Sequence, residues 1–176
     1  GVKPSMHLIS DGDVILVSGS VGDHGTAVML AREEFGLRGD LKSDSGSVYE
    51  LTEAMMKFDG LRFMRDPTRG GLASVAHEIV RATGFGVRLT EDVPVQEQVQ
   101  SVCDMLGYDP LYLACEGRVV TIIDSSQATA ALAAWQSLPS GKGAAIIGKI
   151  DATSNRVILE TQLGGERFLE ELEDDP

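Results

Sequence analysis

Residues 65–72 read Arg-Asp-Pro-Thr-Arg-Gly-Gly-Leu, and the rest of the chain is organised around this stretch. It follows the short apolar run at residues 61–64. The segment after it has apolar side chains at helical spacing, at Leu72, Val75, Ala76, Ile79 and Val80. The pattern therefore predicts a loop that leaves a β-strand and enters an α-helix.

This helix-entry loop, residues 66–71, also has the features of a site for phosphate or carboxylate. The first N–H groups of a helix lack partners within the helix and attract anions, and glycines let a ligand approach the backbone closely. The residues predicted to bind phosphate or substrate are Asp66, Thr68, Arg69, Gly70 and Gly71. The alternative is an ordinary loop in which Thr68 or Asp66 caps the helix.

Length and composition predict one globular domain of 176 residues with a hydrophobic content of 43%. The net charge of −12 argues against nucleic acid or an anionic membrane as a partner, because both would repel the chain. No apolar run is long enough to span a bilayer and no signal peptide is recognisable, so a cytoplasmic protein is expected.

The two cysteines, Cys103 and Cys115, have neither metal-ligand spacing nor the pattern of a disulfide framework, and reduced core thiols are expected. No zinc site or Ser-His-Asp arrangement is recognisable, so no metal ligands are predicted. His77 lies beside the apolar stripe of its helix and is interpreted as a boundary residue.

A second strand, glycine loop and helix precede the first. The apolar run at residues 14–17 is followed by Ser-Gly-Ser-Val-Gly-Asp-His-Gly at residues 18–25, which matches neither a dinucleotide-binding fingerprint nor a P-loop. Asp23 and His24 in this loop are secondary candidates for the site. The alternatives are that Asp23 caps the helix and that His24 has no catalytic role.

Strands and helices alternate along the whole chain, which predicts a layered α/β or α+β domain with a mixed sheet. Residues 35–47 are predicted to form a surface loop, and a helix is expected to begin within residues 91–94. Ser125 or Ser126 is expected to cap a later helix. The strands at residues 144–150 and 156–159 are expected to pair as a hairpin, and a short helix with Phe168, Leu169 and Leu172 to follow. Two split halves of a ferredoxin-like arrangement are also compatible with this order.

Glu116 is the carboxylate singled out as a catalytic candidate. It lies between an apolar run and a strand, where Leu113, Ala114 and Cys115 are expected to desolvate it and adapt it to the work of a general base. The alternative is a surface glutamate at the start of a strand.

Three motifs resemble one protein family. They are the run at residues 14–25, the run at residues 64–72, and Ala-Cys-Glu-Gly at residues 114–117. In this order they are similar to the C-terminal domain of the hydrogenase maturation factor HypE, and the likeness spans nearly the whole chain. HypE belongs with aminoimidazole ribonucleotide synthetase (PurM), selenophosphate synthetase and thiamine-monophosphate kinase.

The resemblance implies an α+β fold with α/β/α layers and a mixed sheet, as in the C-terminal domain of PurM. It implies an ATP-dependent carbamoyl dehydratase that converts a C-terminal cysteine thiocarboxamide to a thiocyanate and supplies cyanide to NiFe hydrogenase. Glu116 matches the position that the family uses for proton abstraction. The implied partners are the carbamoyltransferase HypF, the HypC–HypD scaffold and a second copy in a homodimer.

The resemblance further implies that residues 1–10 link to an N-terminal domain that binds most of the ATP and Mg. Residues 11–172 would be the C-terminal substrate-side domain, and 173–176 the start of a tail that ends in the modified cysteine. The ATP-binding half is absent and no cysteine follows Cys115, so this chain alone is expected neither to hydrolyse ATP nor to accept the carbamoyl group. The alternatives are a module that docks HypF or HypC–HypD, and a selenophosphate synthetase or thiamine-monophosphate kinase type of enzyme.

Overall fold

The computed structural model describes residues 4–31 and 48–172. The surface loop predicted at residues 35–47 and the tail at 173–176 lie outside these ranges. Within them, every helix is too short or too polar to cross a lipid bilayer. Near the start of the first range, Ile9 is buried and Met6 packs against the core.

The described residues form one mixed sheet of seven strands in the order β2-β4-β1-β5-β3-β6-β7. β3 and β6 are parallel, whereas the other neighbours are antiparallel. The mixed sheet predicted from the sequence is confirmed. The strands are β1 Val14–Val17, β2 Leu61–Arg65, β3 Gly86–Thr90, β4 Val120–Ile123, β5 Ala145–Asp151, β6 Val157–Glu160 and β7 Glu166–Phe168.

Five α-helices accompany the sheet in the described ranges, and short 3-10 turns connect some of the elements. The helices are α1 Asp23–Ala31, α2 Tyr49–Met55, α3 Gly71–Thr83, α4 Glu97–Leu106 and α5 Ala128–Gln136. The 3-10 turns are Met6–Leu8, Pro110–Tyr112, Ser125–Gln127 and Pro139–Gly141.

Helices cover both faces of the sheet. Successive residues of a strand point to opposite sides, so an apolar strand such as β1 presents apolar side chains to both faces. On β1, Ile15 and Val17 join the hydrophobic cluster that contains the buried side of α3. Leu16 joins a second cluster with Leu51 of α2 and Trp135 of α5. The α/β/α layering of the α+β fold is therefore confirmed, and α3 lies on the opposite face from α2 and α5.

The predicted hairpin of the two last strands is wrong. β5 and β6 both pair with β3, which lies between them: Val87 is opposite Ile150 on one side and Val157 on the other. The connection after Asp151 therefore has to pass the end of β3, where the N–H of Gly86 donates to the carbonyl oxygen of Ser154 over 2.6 Å.

The closing helix predicted at Phe168 is also wrong, because this segment is the edge strand β7, which pairs with β6 through a tight turn at residues 161–165. Gly164 has a φ of +83° in that turn, a conformation that favours glycine.

Two helix starts also differ from the sequence predictions. α4 begins at Glu97 after extended residues, and Asp124 caps the turn before α5 by accepting from the N–H of Ser126.

Candidate active site

Three segments of the chain meet at one end of the sheet because of the order of its strands. β4 lies between β1 and β2, and both pairings are antiparallel. Val120, the first residue of β4, is opposite Val17 on one side and Arg65 on the other, which are the last residues of β1 and β2. The loop after β1, the helix-entry loop after β2 and the segment leading into β4 therefore share one end of the sheet.

Hydrogen bonds attach the segment before β4 to both loops. The N–H of Cys115 donates to the carbonyl oxygen of Pro67 over 2.8 Å, and the N–H of Gly25 donates to the carbonyl oxygen of Ala114 over 3.1 Å. The sulfur of Cys115 also accepts from the N–H of Gly22, with an N–S distance of 3.4 Å. The residue that follows Cys115 is thereby held between the helix-entry loop and the start of α1.

The helix-entry loop leads into α3 without a side-chain cap. Gly70 occupies the N-cap position with a φ of +74°, and no side chain accepts a capping hydrogen bond there. The alternative in which Thr68 or Asp66 caps the helix is therefore wrong; Thr68 instead accepts through its carbonyl oxygen from the N–H of Gly71 at 3.4 Å. A helix N-terminus with no side chain bound to it keeps its partial positive charge for an anion.

Gly71 has a second reason to be glycine. Its φ is +64°, and a Cβ at this position would lie 2.5 Å from the carbonyl oxygen of Leu113 and 2.8 Å from that of Leu111. The close approach at this glycine is therefore made by the backbone of the segment before β4, which packs on the first residue of α3.

The other predicted binding residues of the loop lie together at the helix entrance. Asp66 and Arg69 are exposed, and Thr68 is half-buried. Because these residues belong to one short turn before α3, a single anion at the helix start could contact the Arg69 guanidinium and the loop backbone together. Their role in binding remains a prediction.

Glu116 faces His24 across the gap between the two loops. The distance from Nε2 of His24 to Oε1 of Glu116 is 3.7 Å. The side chain of Glu116 is 49% exposed, so the prediction that its neighbours desolvate it is wrong. Leu113 and Cys115 point into the core instead, which leaves Glu116 accessible to a substrate.

Asp23 precedes His24 in the chain and is almost fully buried, with 1% exposure. It is the first residue of α1, but its carboxylate binds a serine of the preceding loop and two side chains from distant segments. Oδ2 accepts from the hydroxyl of Ser20 at 2.7 Å, from Nε2 of Gln96 at 2.7 Å and from Nη2 of Arg118 at 3.3 Å. The interpretation of Asp23 as a plain helix cap therefore misses its main contacts.

Sequence reasoning missed Ser20, Gln96 and Arg118 at this end of the sheet. Arg118 could have been suspected, because it stands two residues after Glu116 and has the charge that a buried Asp23 needs. Gln96 gives no such signal, since it approaches Asp23 from a segment 73 residues away in the sequence.

Both cysteines are buried thiols outside any disulfide, as predicted. Burial raises the pKa of the Cys103 thiol to about 11, which makes it a poor nucleophile at neutral pH. Within residues 4–31 and 48–172 no cluster of three or more His, Cys, Asp or Glu side chains could hold a metal ion.

A groove of about 760 Å³ lies elsewhere on the domain, between β3, α4 and the turn Pro110–Tyr112. Its walls include Val93, Cys103, Tyr108 and Arg167. Neither Glu116 nor any residue of the helix-entry loop lines it, so this groove is separate from the candidate active site.

Comparison with known proteins identifies relatives along nearly the whole chain. Residues 10–160 match the family described as AIR synthase related protein, C-terminal domain. A carbamoyl dehydratase HypE from Azotobacter vinelandii is 42% identical over 176 residues, covering 96% of this chain and 52% of the relative. The chain thus spans about half the length of the curated relatives it matches.

Solved structures of similar proteins share the fold closely. A chain in a crystal structure of a HypE–HypF complex superposes with a TM-score of 0.92 at 39% identity, covering 97% of this chain and 56% of that one. A hydrogenase maturation protein HypE in complex with ATP superposes with a TM-score of 0.89 at 39% identity, covering 98% of this chain and 54% of that one.

Proposed function

Because the chain belongs to the family of AIR synthase related proteins, as their C-terminal domain, we propose that it is the substrate-side domain of an ATP-dependent carbamoyl dehydratase. The complete enzyme would convert the thiocarboxamide of a C-terminal cysteine to a thiocyanate and so supply cyanide for the iron of NiFe hydrogenase. The observation that carries this proposal is the convergence of Glu116 with the helix-entry loop at the shared end of β1, β2 and β4.

In this proposal the helix-entry loop holds phosphate. The start of α3 has no side-chain cap, so its partial positive charge and N–H groups fit the oxygens of a phosphate group. Arg69 stands at the same entrance and supplies a guanidinium that can bind phosphate through two N–H groups. These features favour the transfer of a phosphoryl group, because they stabilise its negative charge as it develops.

Glu116 would act as the base. Once the carboxamide oxygen has accepted the γ-phosphoryl group of ATP, loss of the protons on nitrogen and departure of phosphate leave a carbon–nitrogen triple bond on sulfur. The carboxylate of Glu116 is exposed enough to accept a proton from that nitrogen. His24, whose Nε2 lies 3.7 Å from Oε1 of Glu116, stands where it can take up that proton from the glutamic acid.

The reaction needs a dry site, because water would hydrolyse the phosphorylated intermediate. With 49% of its side chain exposed, Glu116 must be covered by other parts of the complete protein during catalysis. We therefore propose that an N-terminal domain supplies most of the contacts to ATP and Mg, and that the present chain alone does not turn over ATP. The relative solved with ATP supports nucleotide binding by the complete protein.

The proposed partners are HypF, which would load the carbamoyl group, the HypC–HypD scaffold, which would receive the cyanide, and a second copy of the chain in a homodimer. A relative solved in a HypE–HypF complex supports the first of these. The proposed location is the cytoplasm.

A second candidate function is a docking module for HypF or for HypC–HypD. It is favoured by the edge strand β7, the last strand of the sheet among the described residues, where half of Phe168 and half of the nearby Leu172 are exposed. Pull-down of this chain with HypF tests it, with a Phe168→Ser variant as the comparison. If the original chain and Phe168→Ser retain HypF equally well, or if neither retains it at low salt, docking at this edge would be contradicted.

The test of the dehydratase proposal replaces Glu116 with Gln in the full-length protein. Carbamoylation by HypF should continue, while thiocyanate formation, followed by mass spectrometry, should stop. Glu160→Gln is a matched control: the side chain of Glu160 is 40% exposed and lies 2.9 Å from Nη1 of Arg88, but it stands on β6, three strands away from β1. Unchanged dehydration in Glu116→Gln would remove Glu116 from its role as the base.

A further inference from the structure

The buried pair Asp23–Arg118 has no role in the chemistry proposed above, although it lies directly beside it. Nη2 of Arg118 is 3.3 Å from Oδ2 of Asp23, and both side chains are largely shielded from water. The other carboxylate oxygen, Oδ1, has no hydrogen-bond partner among the described residues. Burial of a carboxylate with half of its acceptors unused is costly, so the pair calls for an explanation beyond packing.

Arg118 also binds the backbone of the loop after β1. Its Nε donates to the carbonyl oxygen of Ser20 over 2.9 Å, and Nη2 lies 3.3 Å from the Ser20 hydroxyl. A Cβ at position 19 would lie 2.8 Å from Nε of Arg118, so Gly19 leaves the space in which the guanidinium rests. The guanidinium thus joins the loop after β1 to the segment before β4.

Two side-chain pairs connect the same two segments in register. Asp23 and His24 are neighbours at the start of α1, while Glu116 and Arg118 flank Gly117. The outer pair joins His24 to Glu116 and the buried pair joins Asp23 to Arg118. Gly117 has a φ of +80°, which lets the backbone turn between the two side chains.

We infer that Arg118 is a positioning residue for the dehydration step, and that its contacts with Asp23 and Ser20 hold the Glu116 carboxylate opposite His24 and beside the helix-entry loop. This inference rests on the proposed role of Glu116. An arginine suits the task because its planar group reaches a carboxylate and a backbone carbonyl at once, which a lysine cannot reproduce fully. Loss of this anchor lets Glu116 drift from the substrate, and a displacement of about 1 Å can slow a reaction by about 100-fold.

The test uses full-length protein loaded with the carbamoyl group by HypF. In Arg118→Met, the kcat for thiocyanate formation should fall by roughly 10- to 100-fold, while the KM for ATP changes by less than about twofold. Arg118→Lys should recover part of the lost kcat, because the ammonium can still pair with Asp23. Asp23→Asn keeps the shape of the side chain and should lower kcat in the same direction as Arg118→Met, which provides a second reading if one variant folds poorly.

The chain contains a matched control pair. Nε of Arg62 is 3.3 Å from Oδ2 of Asp13, and the side-chain exposures of 21% and 4% are close to the 18% and 2% of Arg118 and Asp23. Arg62→Met should reduce stability to a degree similar to Arg118→Met, and both Arg62→Met and Asp13→Asn should leave kcat unchanged. An equal fall of kcat in both pairs would overturn the positioning role, because it would reflect stability alone.

The outcomes separate the inference from the function on which it rests. Loss of dehydration in Glu116→Gln together with normal kcat in Arg118→Met and Asp23→Asn would overturn the positioning role and keep the proposed function. Normal dehydration in Glu116→Gln would overturn both. A rise in the KM for ATP with unchanged kcat in Arg118→Met would assign Arg118 to nucleotide binding and also overturn the inference.

Discussion

The backbone N–H of Cys115 donates to the carbonyl oxygen of Pro67 over 2.8 Å, and this bond joins the two parts of the candidate active site. Pro67 belongs to the helix-entry loop, whereas Cys115 immediately precedes Glu116. Both residues are buried, so the bond is protected from competition with water. The helix-entry loop and the proposed base are therefore held together by the backbone, without a need for contact between their own side chains.

Gly71 should be intolerant of any side chain. Gly71→Ala is expected to lower the free energy of unfolding by about 2–5 kcal/mol, because it combines a left-handed backbone with a clash against the carbonyl oxygen of Leu113. Gly84→Ala is the control. Gly84 has a similar φ of +75° but open space around a Cβ, so its replacement should cost only about 1–2 kcal/mol. Urea denaturation compares the two, and equal losses would show that the clash is relieved.

The accuracy of the sequence predictions depends on how local each feature is. The buried face of α3 was predicted correctly, because helical spacing of apolar side chains is a local signal. The cap of the same helix was not, because Gly70 adopts its conformation where a distant segment packs on Gly71.

The larger errors concern partners that are far apart in the sequence. The hairpin of β5 with β6 was predicted from adjacency alone, and no local pattern shows that β3 lies between them. The contact between Asp23 and Arg118 likewise joins residues 95 positions apart. The exposure of Glu116 was misjudged for a related reason, because the direction of its side chain is set by how the segment before β4 attaches to the two loops.

Acid should weaken the domain through Asp151. Hydrogen bonds from the Thr153 hydroxyl and then from Arg88 lower the pKa of this carboxyl from its ordinary value of 3.8 to about 2. Since the folded-state pKa is the lower one, the stabilisation is fully present above pH 3.8 and is lost as the pH falls toward 2. Asp151→Asn should therefore be less stable than the original chain above pH 4, and the difference should shrink between pH 4 and pH 2.

Asp13 gives the opposite sign and serves as the control for that experiment. Burial raises the pKa of its carboxyl, so its ionisation weakens the folded state as the pH rises above the ordinary value. The free energy of unfolding of the original chain, relative to that of Asp13→Asn, should consequently fall as the pH rises. Chemical denaturation at a series of pH values measures both variants, and parallel curves for Asp13→Asn and Asp151→Asn would contradict the assignment.

The two cysteines should remain unmodified in the folded protein. Cys103 and Cys115 are fully buried, and with the pKa of Cys103 near 11 only about one thiol in a thousand is ionised there at pH 8. A thiol reagent should therefore label neither residue until the protein is unfolded in urea, when both should react. In full-length protein incubated with HypF, mass spectrometry should find no carbamoyl group on either cysteine, and an adduct on Cys115 would place the acceptor thiol within this domain.

Arg69 should matter for nucleotide affinity more than for the rate of the chemical step. If its guanidinium binds a phosphate group at the start of α3, Arg69→Ala in the full-length protein should raise the KM for ATP by about tenfold, which corresponds to about 1.4 kcal/mol. The kcat should change much less, because Glu116 and its supports are intact.

Arg81→Ala is the control, since Arg81 is exposed in the last turn of α3 and pairs with Glu171, far from the N-terminal amides of that helix. Steady-state kinetics at several ATP concentrations distinguish the two variants. An equal rise in KM for both would mean that general loss of positive charge weakens ATP binding, whereas a rise for Arg69→Ala alone ties the phosphate to the helix entrance.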